Sequence, residues 1–387
     1  MASKYTSEYR NKLFDDVYSG KIPDRVPEKI GINGTAVLEW AGYDLRTAQY
    51  GYTKNIDAMK RFNAEFDTDN VCGGFGGAAP FYTKVIGSRT NVMGSDGFMQ
   101  HPDVAGMEVE EYDDFIADPV KFIWDTVIPR VFTEFAQPWP HNAFALLKMI
   151  KTQDEVMGHL GRASVECAIA NNKVTRPGGG GISRAPFDYF ADYLRSFTGA
   201  MIDMKRMPDK VLEAVDAITP LMIKCANDRT RPTDRTRQKI FFALHMPTYM
   251  TVKDFEKFWW PSFKETVWGV YNKGFGIQIF CEENWMRMLD YLDELPEMCE
   301  LQFEYGDPKI VKEKVGKKHV ISAMYPLTHL ANGTLEEACD KVKEYLDILA
   351  PGGKYIFNMD KSVLRGRQID WNKLNPWLDC IHTYGKY

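Results

Sequence analysis

The feature that most limits what this chain can fold into is an alternation between residues 239 and 360. Five short apolar runs rich in β-branched and aromatic residues, "KIFFALHMP", "FGIQIFCEENW", "CELQFEYGD", "HVISAMYP" and "KYIFNMD", read as strands. Between them, "TVKDFEKFWWPSFKETVWGVYNKG", "MRMLDYLDEL", "DPKIVKEKVG" and "GTLEEACDKVKEYLDILAPGG" place apolar residues at helical spacing. Strands joined by helices of this length cannot be hairpin partners, so the pattern predicts a parallel sheet with right-handed crossovers. Nothing interrupts the alternation. The expectation is an α/β fold, a (β/α)8 TIM-type barrel with an N-terminal helical and loop extension, forming one domain over residues 1–387. Upstream, "PFDYFADYLRSFTGAMIDMKRMPDKVLEAVDAITPLMIKCAND" predicts two helices with a break near Met207-Pro208.

In such a barrel the C-terminal ends of the strands form the active face. Here each run ends in polar residues: His245; Cys281, Glu282 and Glu283; Glu304; Tyr325; and Asn358 to Asp360. One such residue alone would be a helix cap or a satisfied core side chain, and the repetition is the signal. An imidazole and carboxylates from adjacent strand ends form a hard donor set suited to Zn²⁺ with an open position. His245, Glu282 and Glu304 are therefore the candidate catalytic residues, and with Glu283 the candidate metal ligands. Alternation does not decide between the adjacent acids; Glu282 is preferred as the ligand. His319 begins its strand and belongs at the opposite end. Among aromatic residues, Trp285, Tyr325, Phe187 and Tyr189 are the candidates for binding substrate at the mouth, with Phe75 beside them.

Composition removes several classes. A net charge of −5 and a pI near 5.9 argue against a polyanion such as nucleic acid, whose phosphates demand surplus Lys and Arg. No run of apolar residues is long enough to span a membrane and the N-terminus does not read as a signal peptide, so a cytoplasmic location is expected. The seven cysteines are scattered without CxxC spacing, which fits neither a disulfide framework nor a zinc ribbon. "NNKVTRPGGGGISRAP", with Gly178 to Gly181, reads as a mobile loop or lid. "GGFGGAAP", Gly73 to Pro80, lacks the order of a phosphate loop and reads as a bent loop beside the site.

The order of "SGKIPDRVP", "APFDYFADYLRSFTGAMIDMKRMPDKV", "TVKDFEKFWWPSFKETV", "GTLEEACDKVKEYLD" and "APGGKYIFN" resembles the uroporphyrinogen decarboxylase superfamily from about Gly20 to Asp360. The resemblance implies a distorted (β/α)8 barrel and one of two activities. The decarboxylases carry an Arg-rich segment near the N-terminus, where this chain reads "EKIGINGTAVLEWAG" without arginine. The other kind comprises corrinoid-dependent methyltransferases. Their thiol-activating branch binds zinc through His-x-Cys, but Ile279 stands where that His would be, although Cys281 matches the Cys, and "FNMD" offers no further Cys.

The remaining branch looks like the methyl-donor component of anaerobic O-demethylase systems. Leu244-His245, Phe280 with Glu282, and Phe303-Glu304 match its strand ends. What this resemblance implies is zinc-assisted demethylation of a methyl ether, often an aryl one such as a methoxylated phenol, with transfer of the methyl to Co(I) of a separate corrinoid protein. The chain has no Asp-x-His-x-x-Gly motif, so the corrinoid (cobalamin) belongs on a partner. Methanol, a methylamine or a methylthiol is the alternative donor, and a decarboxylase-like enzyme or a corrinoid-protein binding module without chemistry of its own the alternative reading. The expected partners are that corrinoid-binding protein, a small methylated substrate and a second copy of the chain in a homodimer.

Overall fold

The computed structural model describes residues 4–74, 80–175, 179–226, 232 and 234–387. Six strands form one sheet in sequence order: β1 (Gly179–Ser183), β2 (Lys239–Leu244), β3 (Gly276–Asn284), β4 (Glu300–Tyr305), β5 (Val320–Tyr325) and β6 (Tyr355–Met359). Every pair is parallel, as the alternation predicts. Leu244 lies beside Cys281, Cys281 beside Phe303, Phe303 beside Ala323 and Ala323 beside Phe357, so the C-terminal ends of five strands share one edge.

The principal helices are α1 (Ser7–Tyr18), α2 (Thr53–Glu65), α3 (His141–Ala170), α4 (Phe197–Arg206), α5 (Pro208–Cys225), α6 (Trp260–Asn272), α7 (Pro308–Val315), α8 (Leu335–Leu349) and α9 (Leu374–Tyr384). Their starts follow from local chemistry. Asp307 accepts from Lys309 N at 2.8 Å with Pro308 in the first turn of α7. Thr334 and Glu337 form a reciprocal capping box at α8, with bonds of 3.2 and 2.7 Å. Met207 separates α4 from α5 where the break was expected. A further break falls at Ser196, which has φ 64°.

The structure departs from expectation in three places. First, the regular sheet has six strands where eight were expected. Segments 26–33 and 69–74 instead make scattered parallel contacts beyond β6. Lys29 N donates to Phe357 O at 2.9 Å, Gly73 N to Ile32 O at 3.0 Å, and Val71 N to Val174 O at 2.9 Å. Pro27 lacks a donor, and Gly31, Gly34, Gly73 and Gly74 supply no side chain to pack, so a continuous ladder does not form.

Second, "MRMLDYLDEL" is a 3₁₀ run over Met286–Glu294 and not an α-helix. Leu289, Leu292 and Leu295 are all buried, and their three-residue spacing fits a three-residue turn. Third, Gly179 to Gly181 of the presumed lid are part of β1, while Gly178 lies outside the described residues. A Cβ on Gly180 would stand 2.8 Å from both the backbone N and O of Lys239, so only glycine allows β1 to lie this close to β2. Of "GGFGGAAP", residues 75–79, including Phe75, lie outside the described residues.

The core lies between the sheet and the surrounding helices, with Trp259, Trp285, Trp377, Tyr325 and Phe187 among its largest fully buried side chains. All seven cysteines are free. Among the described residues no helix is long and apolar enough to cross a membrane.

Candidate functional site

The two adjacent acids of β3 stand in a β-bulge. Register shifts between Cys281 and Asn284, and Glu283 adopts φ 60°, a left-handed backbone that a non-glycine residue accepts only when its surroundings hold it. Glu304 holds it: the Glu283 amide donates to Glu304 Oε2 at 2.8 Å. Glu304 is itself nearly buried, and its other oxygen accepts from Lys361 Nζ at 2.7 Å. The bulge leaves Glu283 exposed and Glu282 half-buried. Burial pushes the Glu282 carboxyl above its usual range; the positive His245 opposes this, while Glu304 and Glu283 reinforce it. Trp285 Nε1 donates to Glu282 O at 3.1 Å and fixes the backbone there.

His245, the first residue beyond β2, faces two carboxylates. Its Nε2 lies 3.0 Å from Asp192 Oδ1, its Nδ1 4.0 Å from Asp188 Oδ2, and its amide donates to Asp188 Oδ2 at 3.3 Å. Burial disfavours the imidazolium, but Asp192, Asp188 and Glu282 outweigh it and push the ring to about 9. Asp188 is enclosed, with Trp259 Nε1 donating to its Oδ1 at 2.6 Å. Its burial pushes it up to about 7 against the pull of His245. The carboxylates of Asp192 and Asp188 thus keep His245 charged near neutrality.

Two irregular turns build this arrangement. Asp192 sits in a π-helical turn, Phe190–Leu194, and Trp259 ends another, Phe255–Trp259. Asp188, Asp192, Trp259 and Lys361 are site residues that the sequence reading missed. The signal present was the pair of acids one helical turn apart in "PFDYFADY", just after a strand end.

The other expected residues are placed as follows. Tyr325 is fully buried beneath α8 and α9, its hydroxyl donating to Ala338 O at 3.1 Å and its ring 5.1 Å from Trp377. Trp285 packs 5.8 Å from Trp259, and Phe187 packs 5.7 Å from Phe190, both without exposed surface. These three rings lie in the core, so as placed they offer no face to a ligand. Tyr189 is half-buried, 5.1 Å from the Tyr193 ring. Cys281 is sealed inside β3 with its thiol pushed well up by burial, the opposite of a reactive thiolate. Asn358 and Asp360 serve the backbone: Asn358 Oδ1 accepts from Gly31 N at 3.2 Å and Asp360 Oδ1 from Leu327 N at 3.1 Å. His319 lies at the far end as expected, its ring pushed down to about 4 by burial.

An open groove of about 620 Å³ borders the bulge, lined by Thr248, Tyr249, Glu283, Asn284, Met286 and Arg287. Arg287 donates to Thr248 O at 2.7 Å and Met250 O at 2.6 Å, fastening the loop after His245. A more enclosed cavity of about 250 Å³ lies away from these strand ends, beside Lys173 and His382.

His245, Glu282, Glu283 and Glu304 fit a divalent cation in kind, being nitrogen and oxygen donors, and the half-buried Glu282 carboxylate has no hydrogen-bond partner among the described residues. In the present arrangement His245 and Glu304 are committed to Asp192 and Lys361. Among the described residues, the group whose ligand atoms all lie within 4.8 Å of one another is Glu28, Asp69 and His382. That spacing could take an ion, but Asp69 is already held by Arg25 at 2.6 and 2.8 Å and approached by Arg10 at 3.5 Å. The cluster is a buried charge lock.

The fold has a counterpart among solved structures. It is shared with a methyltransferase from Methanosarcina mazei. The two superpose with a TM-score of 0.59 at 14% sequence identity, covering 98% of this chain and 99% of the other. No protein-family profile matches the chain. No curated protein sequence matches it either.

Proposed function

We propose that this protein is a methyltransferase that removes the methyl group of a methyl ether, aryl ethers first, and passes it to Co(I) of a separate corrinoid protein. The observation that carries the proposal is the meeting of His245 with Glu282 and Glu304 at the C-terminal ends of adjacent parallel strands. The fold shared with the Methanosarcina mazei methyltransferase supports it. We further infer that segments 26–33 and 69–74 complete an eight-membered ring with the six strands, supported by their parallel bridges to Phe357 and Val174.

The chemistry needs a sink for negative charge, because an ether is a poor electrophile and a phenol has a pKa near ~10. Zinc held by His245, Glu282 and Glu304, with Glu283 at hand, would supply a Lewis acid for the leaving oxygen. The chain's own residues prepare that place. Lys361 and the Glu283 amide fix Glu304; Trp285 fixes the backbone of Glu282; Asp188 holds the backbone amide of His245 and Asp192 orients its imidazole. The fully buried Trp259 and Trp285 back the site on its inner side and keep water out there.

A second reading is favoured by one contact. The 3.0 Å pairing of His245 with Asp192 keeps the ring protonated, so His245 itself would give a proton to the departing oxygen. Zinc analysis separates the two. The wild type and the His245→Ala, Glu282→Ala and Glu304→Ala variants are measured for bound zinc and for methyl transfer from a methoxyarene to free cob(I)alamin. One zinc per chain, lost with activity in the variants, supports the metal reading. Transfer by a zinc-free wild type that needs His245 supports the acid reading. Transfer that survives all three substitutions sinks both.

A further inference from the structure

Helix α3 is apolar on two opposite faces. Val156, Leu160, Ala163 and Cys167 are buried against Met59 of α2 and Phe81. At 3.6 residues per turn the opposite side carries Phe144, Leu147, Ile150, Met157, Val165 and Ile169, exposed by between 45% for Ile150 and 76% for Ile169. This outer stripe runs about 37 Å along the helix. With Asp154 and Gly161 filling its two gaps, the row 144, 147, 150, 154, 157, 161, 165 and 169 recurs at steps of three and four residues, the pattern of a helix seam that packs on another helix. A core stripe covers itself; this one is in solvent.

An acid and a glycine break the stripe. Asp154 lies in its centre and makes no ion pair or hydrogen bond with any described residue. Gly161 lies about two turns further on, where an added Cβ would meet nothing within 4 Å. Arg162 flanks it, exposed and 3.1 Å from His159 Nδ1.

We propose that α3 is the interface of a homodimer in which two copies of the helix pack antiparallel about a two-fold axis beside Met157 and Gly158. In that register Ile150 meets Val165 of the second copy, and Met157 lies over Gly158. Asp154 falls opposite Gly161, within reach of Arg162 of the second copy, and the same contact forms again by symmetry. A parallel pairing would set Asp154 against Asp154. The stripe is thus complementary to its own reverse, in size and in charge, which selects a second copy of this chain over an unrelated partner. The interface rests on α3 alone, which packs on α2 and Phe81, and does not depend on the reaction proposed above.

Sedimentation equilibrium of the full chain tests this directly. The wild type is expected at twice the 44.4 kDa chain mass. Ile150→Glu and the reversals Asp154→Arg and Arg162→Asp should each weaken the dimer by about 30-fold or more. Combining the two reversals should restore it, because the charges again meet their opposites. All three positions are on the surface, and unchanged circular dichroism will show that the variants fold. Met157→Cys in a Cys225→Ser background should form a disulfide-linked dimer under mild oxidation, and Val120→Cys should not. A wild type that stays monomeric up to its solubility limit overturns the proposal. So does a dimer indifferent to Ile150→Glu, or one that the double reversal fails to rescue.

Discussion

The charge on His245 is the most direct physical claim about the site, and Asp192→Asn tests it. The substitution keeps the shape of the side chain and removes the charge that lies 3.0 Å from His245 Nε2. With charge centres about 4 Å apart, a unit pair is worth between about 1 kcal/mol in water and about 4 kcal/mol at an effective dielectric near 20. The two side chains are 31% and 25% exposed, so screening places the pair near the lower half of that range. About 2 kcal/mol corresponds to roughly 1.5 pKa units. His245, pushed up to about 9 in the native protein, should then titrate near roughly 7.5 in the variant.

Nuclear magnetic resonance of ¹³C-labelled histidine rings in metal-stripped protein reads this out. The linkage has a definite sign. A folded pKa raised above the unfolded value contributes stability that is complete below about 6.5 and is lost as pH rises through about 9. Asp192→Asn should bring the upper end of that window down. Asp188, raised by burial to about 7, acts with the same sign in an overlapping range, so the ring resonance and not the unfolding curve is the primary measurement. A wild-type His245 titrating at or below 6.5, or a variant in which it does not move, would refute the assignment of Asp192 as the group that holds the charge.

Other expectations follow from single contacts. Gly180→Ala forces a methyl into the Lys239 backbone 2.8 Å away and should cost about 1–3 kcal/mol, seen as a lower urea midpoint. Asp69→Asn strands the buried Arg25 guanidinium, and a loss of about 3–5 kcal/mol in the same assay is expected; a loss below about 1 kcal/mol would mean that the cluster holds nothing together. Trp259→Phe removes the 2.6 Å bond to Asp188 and leaves a small cavity where the buried indole stood, costing about 2–4 kcal/mol near neutral pH. Because the unpartnered carboxylate can then take up a proton, the cost should shrink in acid.

Much of the site was legible because a parallel sheet collects the ends of its strands on one edge. His245, Glu282 and Glu304 each terminate an apolar run, and each is found on that edge. What the pattern does not encode is the side on which an end residue falls. Tyr325 ends its strand as expected, yet its ring turns outward to Trp377 and α8 and joins the core. Asp188 and Asp192 were hidden for a different reason: they sit among aromatic residues in a segment that reads as amphipathic helix, and a π-helical turn alters which side chains face inward. The bulge at Glu283 was equally invisible, since its left-handed backbone depends on Glu304, a residue on another strand. The N-terminal extended segments escaped a regular strand assignment because proline and glycine thin their ladder, leaving long-range contacts to hold them.

Those long-range contacts bear on how the protein is made. Pro27 and Lys29 bond to Phe357, and the lock around Asp69 includes His382 on α9. As the ribosome releases the chain, residues 26–33 emerge early, while the strand and helix that will hold them are still untranslated. The Arg25, Glu28 and Asp69 cluster lacks its His382 partner until that residue is made. Completion of the fold therefore waits on residues 355–382, and the segments that wait for them are where a holding chaperone or a protease would have its opportunity.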